Sequence, residues 1–137
     1  MDDTQKLSGI LRLTRVIAVV GLSANSSRPS NYVSRYMIDH GYRIIPVNPA
    51  YPEILGQQCY ASLKDIAEPV DMVDCFRRSE EIMSIAEDAI AIGARSLWMQ
   101  IGVINEAAAA KASASGLQVV MDRCVKIEHM RLIGGAY

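Results

Sequence analysis

The sequence predicts an α/β fold, a single Rossmann-like doubly wound domain in which helices cover both faces of a mainly parallel five-stranded sheet. Short, almost wholly apolar segments alternate along the chain with helical patterns, and strands without polar alternation are typical of a parallel sheet buried on both faces. Right-handed crossovers between such strands give the doubly wound arrangement. The 137 residues suffice for one sizeable core, so we expect residues 1–137 to form one domain.

The strands are predicted from β-branched and apolar runs that end at turn residues. The first run, "VIAVV", is followed by Gly21, and the second, "RIIPV", is followed by Asn48 and Pro49. The five predicted strands cover residues 16–20, 43–47, 71–76, 96–101 and 117–121.

The helices are predicted from capping residues, apolar spacing and glycine stops. Ser30 or Asn31 is expected to cap the first helix, which stops at Gly41. Ser79 is expected to cap a helix with acidic residues in its first turn, and Asn105 to cap an alanine-rich helix. The predicted helical segments are 31–40, 62–67, 80–92 and 105–115.

The loop after the first strand, "GLSANSSRPS", is the first candidate site, because doubly wound sheets bind ligands beyond the carboxyl ends of their strands. A G-x-G-x-x-G fingerprint would place glycines where Ser23 and Ser26 stand. Gly21 nevertheless allows a close backbone approach, the small polar residues leave amides for phosphate oxygens, and Arg28 is a bidentate phosphate donor. An ordinary strand-to-helix turn would have the same composition.

The end of the second strand, "PVNPAY", bears on which nucleotide could bind. An NAD site usually has Asp or Glu here to hold the ribose 2′-hydroxyl, and this chain has Asn48. Arg28 and Arg43 could serve a 2′-phosphate. An NADP-linked oxidoreductase therefore remains an alternative.

The later strand ends supply further candidates. Phe76 either lies against a flat base or belongs to the core, and Arg77 either reaches a phosphate or lies on the surface. Gln100 and Gly102 lie at the carboxyl end of the fourth strand, where a polar group and a glycine suit a ligand lying across the sheet edge. Trp98 is expected in the core.

Metal and nucleophile chemistry find little support in the sequence. The three cysteines are widely spaced and there are two histidines, so neither a metal site nor a disulfide framework is expected. Asp71, Asp74 and Asp122 could be taken for an acidic magnesium pocket, but a receiver domain would also have a lysine where this chain has Arg123, so no magnesium site is expected. Cys124 is either a nucleophile or a passive core thiol, and no histidine is placed to activate it.

Charge and hydropathy exclude other classes of function. The net charge of −1 argues against nucleic-acid binding through a basic surface. No apolar run approaches the length of a membrane span and the acidic N-terminus lacks the features of a secretory signal, so we expect a cytoplasmic protein without membrane contact. Basic residues outnumber acidic ones in residues 1–43, which suits a local anionic ligand.

The segments "AVVGLS", "IIPVNP", "DMVDCFR", "LWMQIGVIN" and "MDRC" together resemble the small stand-alone bacterial CoA-binding proteins of the YccU type. More distantly they are similar to the N-terminal CoA-binding domain of the succinyl-CoA synthetase alpha subunit. The resemblance implies binding of coenzyme A or a short acyl-CoA. A CoA-responsive interaction module is a further alternative.

The resemblance also implies the contact residues. They fall on the first loop and on the fourth strand end: Ser23, Ala24, Asn25, Ser26, Met99, Gln100 and Ile101. A lysine that the synthetase has in the region of Pro49 is absent here, and Arg28 is its expected substitute. The similar synthetase segment ends in cysteine, which places Cys124 near the thiol end of the ligand. The synthetase needs a second domain that this chain has no room for, so we expect CoA binding without catalysis.

Overall fold

A computed structural model describes residues 3–134. Its strands are β1 Val16–Val20, β2 Arg43–Val47, β3 Glu53–Ile54, β4 Gln57–Gln58, β5 Met72–Cys75, β6 Ser96–Met99 and β7 Gln118–Val120. Five of them form a parallel sheet in the order β2-β1-β5-β6-β7, in which each strand pairs with its neighbours in the same direction. The strands β3 and β4, of two residues each, form a separate antiparallel hairpin after β2.

Five α-helices connect or flank these strands. Two 3₁₀ turns, at Leu63–Asp65 and Ser79–Glu81, and a π-helical turn at Met130–Gly134 complete the regular structure of the described residues. The helices are α1 Asp3–Leu13, α2 Pro29–Asp39, α3 Ile82–Ala91, α4 Glu106–Ala114 and α5 Val125–His129.

The core lies in two layers, one on each face of the sheet. Apolar side chains of α1, α2 and α5 pack on one face, where Trp98 is fully buried. Those of α3 and α4 pack on the other face, against residues such as Val73 and Leu97. The predicted fold class, its five strands and the core position of Trp98 are thus confirmed.

The sequence analysis did not predict α1, α5, the β3–β4 hairpin or the π-helical turn. The helix α1 buries Leu7, Ile10 and Leu11, an i, i+3, i+4 pattern that is legible in the sequence. The helix α5 has five residues, which is too short for periodicity to show. The β3–β4 hairpin turns at Leu55, whose φ of 56° is in the left-handed region that a leucine rarely adopts.

The caps differ in part from the prediction. Asn105 caps α4 as expected, accepting a hydrogen bond from the Ala108 amide at 2.9 Å. The helix α2 begins at Pro29 instead, with Arg28 as N-cap, so the prediction of Ser30 or Asn31 was wrong. Proline is well suited to the first helical turn because its missing N–H would have no intrahelical partner. Both predicted caps serve the preceding loop.

Candidate ligand-binding site

A cavity of about 930 Å³ opens at the carboxyl ends of the strands. The helix after β1 packs on one face and the helix after β5 on the other, so the sheet has its switch point between these two neighbouring strands. The β1–α2 loop and the segment after β5 both line the cavity, together with the segment after β6 and with Cys124, Lys126 and Ile127. The cavity therefore lies where this class of fold binds its ligands.

The β1–α2 loop is held by its own side chains. The Ser23 amide donates to Ser30 Oγ at 2.9 Å, the Asn25 amide to Ser23 Oγ at 3.0 Å, and the Ser27 amide to Asn25 Oδ1 at 2.9 Å. These three amides are therefore not available to a ligand, contrary to the expectation that the loop amides are free. Those of Ala24 and Ser26 have no hydrogen-bond partner among residues 3–134.

Asn31 and Arg35 fasten the loop to α2. Asn31 Nδ2 donates to the Ser23 carbonyl at 2.8 Å, and Arg35 Nη2 donates to the Ser26 carbonyl at 2.9 Å. Arg35 Nε also donates to Asn31 Oδ1 at 2.9 Å. The loop is thus preorganised on the helix that follows it, and a ligand would meet a formed surface.

Gly21 sits where β1 and the segment after β5 approach each other. Its φ is +88°, and a Cβ at this position would lie 2.6 Å from the Phe76 carbonyl oxygen and 2.8 Å from Arg77 Cδ. Its amide donates to the Val47 carbonyl at 3.1 Å. Glycine is required here by the conformation and by the neighbouring backbone, before any ligand is considered.

Asn48 braces the loop from the end of β2. Its Nδ2 donates to the Leu22 carbonyl at 2.9 Å, and its Oδ1 accepts from the Ala50 amide at 2.9 Å. Asn48 and Pro49 line a smaller cavity of about 250 Å³, which shares Gly21 with the larger one. Both ends of the Asn48 amide are therefore occupied within the protein.

Basic side chains dominate the charge of the larger cavity. Arg28, Arg77, Arg78 and Lys126 line it with a single acidic residue, Glu81. Both Arg77 and Arg78 pair with Glu81, and the Arg77 hydrogen bond lowers the pKa of that carboxyl. Arg28 and Lys126 have no ion-pair partner within the described part of the chain, so two cations remain for an anionic ligand.

The segment 122–124 is anchored to the end of β6. Asp122 has φ 61° and accepts a 2.7 Å hydrogen bond from the Gly102 amide. Trp98 Nε1 donates to the Arg123 carbonyl at 2.8 Å. These contacts place Cys124, which is half-buried, at the wall of the larger cavity.

Gln100 is bound to a buried carboxylate beneath the cavity. Gln100 is 5% exposed and Asp74 is 2% exposed, and Gln100 Nε2 donates to Asp74 Oδ1 at 2.5 Å. Burial raises the pKa of Asp74 to about 7, although the hydrogen bond from Gln100 lowers it. Met99 is fully buried in the core on the α3–α4 face, so a ligand could meet only its backbone.

The predicted site residues divide into four groups, of which Met99, buried in the core, forms one by itself. Ala24, Asn25 and Ser26 lie on the loop without lining either cavity, and Asn48 and Pro49 line only the smaller one. The larger cavity brings together eight predicted residues: Gly21, Ser23, Arg28, Phe76, Arg77, Gln100, Ile101 and Cys124.

Sequence reasoning missed several wall residues. Tyr32 and Val33 belong to the first turns of α2, and Lys126 and Ile127 belong to α5. The signal for the first pair was Pro29, which marks an earlier helix start. No comparable signal exists for the second pair, because α5 is too short to be predicted.

The three aspartates considered for a metal pocket are separate. Asp71 accepts hydrogen bonds from the amides of Arg15 and Val16, each at 2.9 Å, while Asp74 and Asp122 have the different partners described above. Among residues 3–134, no group of three or more His, Cys, Asp or Glu side chains is arranged to hold a metal ion.

Within the same residues, every helix is too short or too polar to cross a bilayer.

Comparison with known proteins gives a family match over most of the chain. The sequence profile of a family described as "CoA binding domain" matches residues 15–130. The protein YneT of Bacillus subtilis (strain 168), which carries the name "uncharacterized protein", is 44% identical over 124 residues, covering 90% of this chain and 92% of that protein.

Two further proteins are similar to this chain, one in structure and one over part of its sequence. The structure of a "hypothetical protein" from Pyrococcus horikoshii OT3 superimposes with a TM-score of 0.93 at 40% identity, covering 96% of this chain and 92% of the other. The ADP-forming acetate–CoA ligase of Methanocaldococcus jannaschii is 30% identical over 56 residues. That match covers 41% of this chain and 8% of the ligase.

Proposed function

The chain belongs to the family of CoA-binding domains, and from this premise we propose that it binds coenzyme A or a short acyl-CoA at the carboxyl ends of its sheet strands. The observation that carries the proposal is the cavity at the switch point, with a preorganised loop on one side and two unpaired cations, Arg28 and Lys126, in its wall. CoA has a pyrophosphate and a 3′-phosphate, and such groups are bound by guanidinium and ammonium side chains.

The two cavities suggest how the ligand lies. The smaller cavity, beside Asn48, takes the adenosine part, and the pyrophosphate passes the shared wall at Gly21. The α2 N-terminus adds its positive dipole end there. The pantetheine then runs through the larger cavity past Gln100 toward Cys124.

The same geometry disfavours the dinucleotide alternative. Asn48 uses both ends of its amide within the protein and offers no carboxylate to a ribose 2′-hydroxyl. Among residues 3–134, no histidine lines the larger cavity. No histidine is therefore placed there to act as the acid or base in a hydride transfer. We therefore propose ligand binding without turnover of the acyl group by the isolated domain.

Native mass spectrometry of freshly purified protein tests the proposal. We expect a retained mass equal to CoA or a short acyl-CoA, or uptake of added CoA at a one-to-one ratio. The Arg28→Ala variant should retain less ligand. The control is Arg12→Ala, which removes an equal charge from the opposite end of the sheet. Equal ligand loss in both variants, or retention of NADP in place of CoA, would contradict the proposal.

A further inference from the structure

Asp74 and Gln100 form a pair that is buried beneath the larger cavity. Both residues are at least nine-tenths buried, and the bond between them joins the Gln100 amide nitrogen to a carboxylate oxygen. Asp74 lies on β5, and Gln100 directly follows β6, which is the neighbouring strand in the sheet. Only Gln100 of the pair lines the cavity, so Asp74 can reach a ligand only through it.

We propose that Asp74 is a positioning residue, which fixes the side-chain amide of Gln100 so that its oxygen accepts a hydrogen bond from a pantetheine amide N–H. This inference rests on the proposed function. It assigns the part of the ligand that Gln100 contacts and the residue that orients the Gln100 amide.

The orientation of the Gln100 amide follows from the chemistry of its partner. Above its raised pKa of about 7, Asp74 is ionised and has only acceptors. The contact with Asp74 then requires the NH₂ group of Gln100 and turns Oε1 away. Oε1 has no other hydrogen-bond partner within the described part of the chain. A side chain that presents a fixed acceptor to the cavity selects a hydrogen-bond donor on the ligand. A ligand acceptor at that place would cover Gln100 Oε1 and leave it without a hydrogen bond.

The ligand offers suitable donors in its pantetheine arm. That arm contains two amide N–H groups, whereas the phosphates near the β1–α2 loop are acceptors. Gln100 follows β6, and two strands lie between β6 and β2 with its Asn48, so the adenosine end in the smaller cavity is not its neighbour. The thiol end near Cys124 shares the larger cavity with Gln100.

The cost of burying Asp74 supports a role beyond packing. Burial raises the pKa of this carboxyl to about 7, and none of the causes of the shift is a nearby cation. The adjacent Cys75 thiol also has a raised pKa, first through its burial and then through Asp74. A neutral or apolar residue would fill the position with less loss of stability, and residues that are unfavourable for stability are typical of functional sites.

Calorimetry with four variants tests the pair at about pH 8, where Asp74 is ionised. Asp74→Ala and Gln100→Ala should each weaken CoA binding about fivefold, which is the size of one lost neutral hydrogen bond. Asp74→Asn lets the glutamine amide adopt either orientation, so about half of the molecules would present oxygen and the affinity should fall about twofold. The double variant Asp74→Ala/Gln100→Ala should bind no more weakly than Gln100→Ala alone.

The control ligand is adenosine 3′,5′-bisphosphate, which lacks the pantetheine arm. Its affinity should be unchanged in all the variants. The inference is overturned if Asp74→Ala binds CoA as the parent does, if the two single losses multiply in the double variant, or if the bisphosphate weakens equally. If the parent protein binds no CoA, the proposed function itself fails, which is a different result from parent binding that is insensitive to Asp74.

Discussion

Replacing Asp74 with asparagine removes a buried charge while keeping the size of the side chain, and it should stabilise the protein at neutral pH. The ordinary pKa of an aspartate is 3.8, and burial raises that of Asp74 to about 7. Between these values the folded protein holds a proton that the unfolded chain releases. Stability therefore falls as pH rises through this window.

The magnitude follows from the width of the window. Each pKa unit corresponds to about 1.4 kcal/mol, so the full loss on going from about pH 4 to pH 8 is about 4 kcal/mol, as an order of magnitude. Asp74→Asn should lack this loss. His129 acts in the opposite direction, because burial lowers its pKa. The contribution of His129 is the same in the parent and in the variant, so it cancels in the difference between their free energies of unfolding.

Urea denaturation at several pH values between about pH 5 and pH 8 measures the effect. The free energy of unfolding of Asp74→Asn should exceed that of the parent by an amount that grows with pH and levels off above about pH 7. Asp65→Asn, which neutralises an exposed aspartate, is the control and should run parallel to the parent. A constant difference across the range, or a variant that is less stable at pH 8, would refute a buried carboxylate with a raised pKa.

Three other variants test the site. Gly21→Ala should lose CoA binding and more than about 1 kcal/mol of stability, because the new Cβ would meet the Phe76 carbonyl. The control is Gly41→Ala, where φ is similar and the space is open. This variant should lose less stability and keep CoA binding. Arg28→Ala should weaken CoA about tenfold at low salt, and the difference should shrink as ionic strength rises; the same affinity at all salt concentrations would remove Arg28 from the site. Mild oxidation in the presence of CoA should add one CoA mass through a disulfide, which Cys124→Ser should prevent; an adduct on another cysteine would contradict the placement of the thiol end.

The strands of the sheet could be predicted because each one corresponds to a short, local sequence pattern. Each strand is an apolar run with turn residues at its end, and the position of the loop after Gly21 follows from the parallel direction of the strands. Eight of the candidate residues therefore line one cavity, although Asn48 and Pro49 at the end of β2 line only the smaller one. The short helix α5, which brings Lys126 to that cavity, has no periodic pattern and follows only from tertiary packing.

The roles of individual polar residues could not be predicted from the sequence. Asn48 was a candidate contact, and the structure shows that both ends of its amide brace the loop. Asp74 was considered only as a metal ligand, since nothing in a strand sequence shows which carboxylate meets Gln100 on the next strand. Such cross-strand partners depend on register, and the register becomes visible only in the folded sheet.

The ranking of ligands by calorimetry tests the central claim most directly. CoA, dephospho-CoA, NADP and NAD share an adenine nucleotide and a pyrophosphate, and they differ in the ribose phosphate and in the group beyond the pyrophosphate. CoA should bind most tightly, because the excess of basic residues in residues 1–43 favours its additional phosphate and Gln100 favours its pantetheine arm. Dephospho-CoA should follow, and NADP and NAD should be weakest. Tight binding of NADP with no response to CoA would contradict the account.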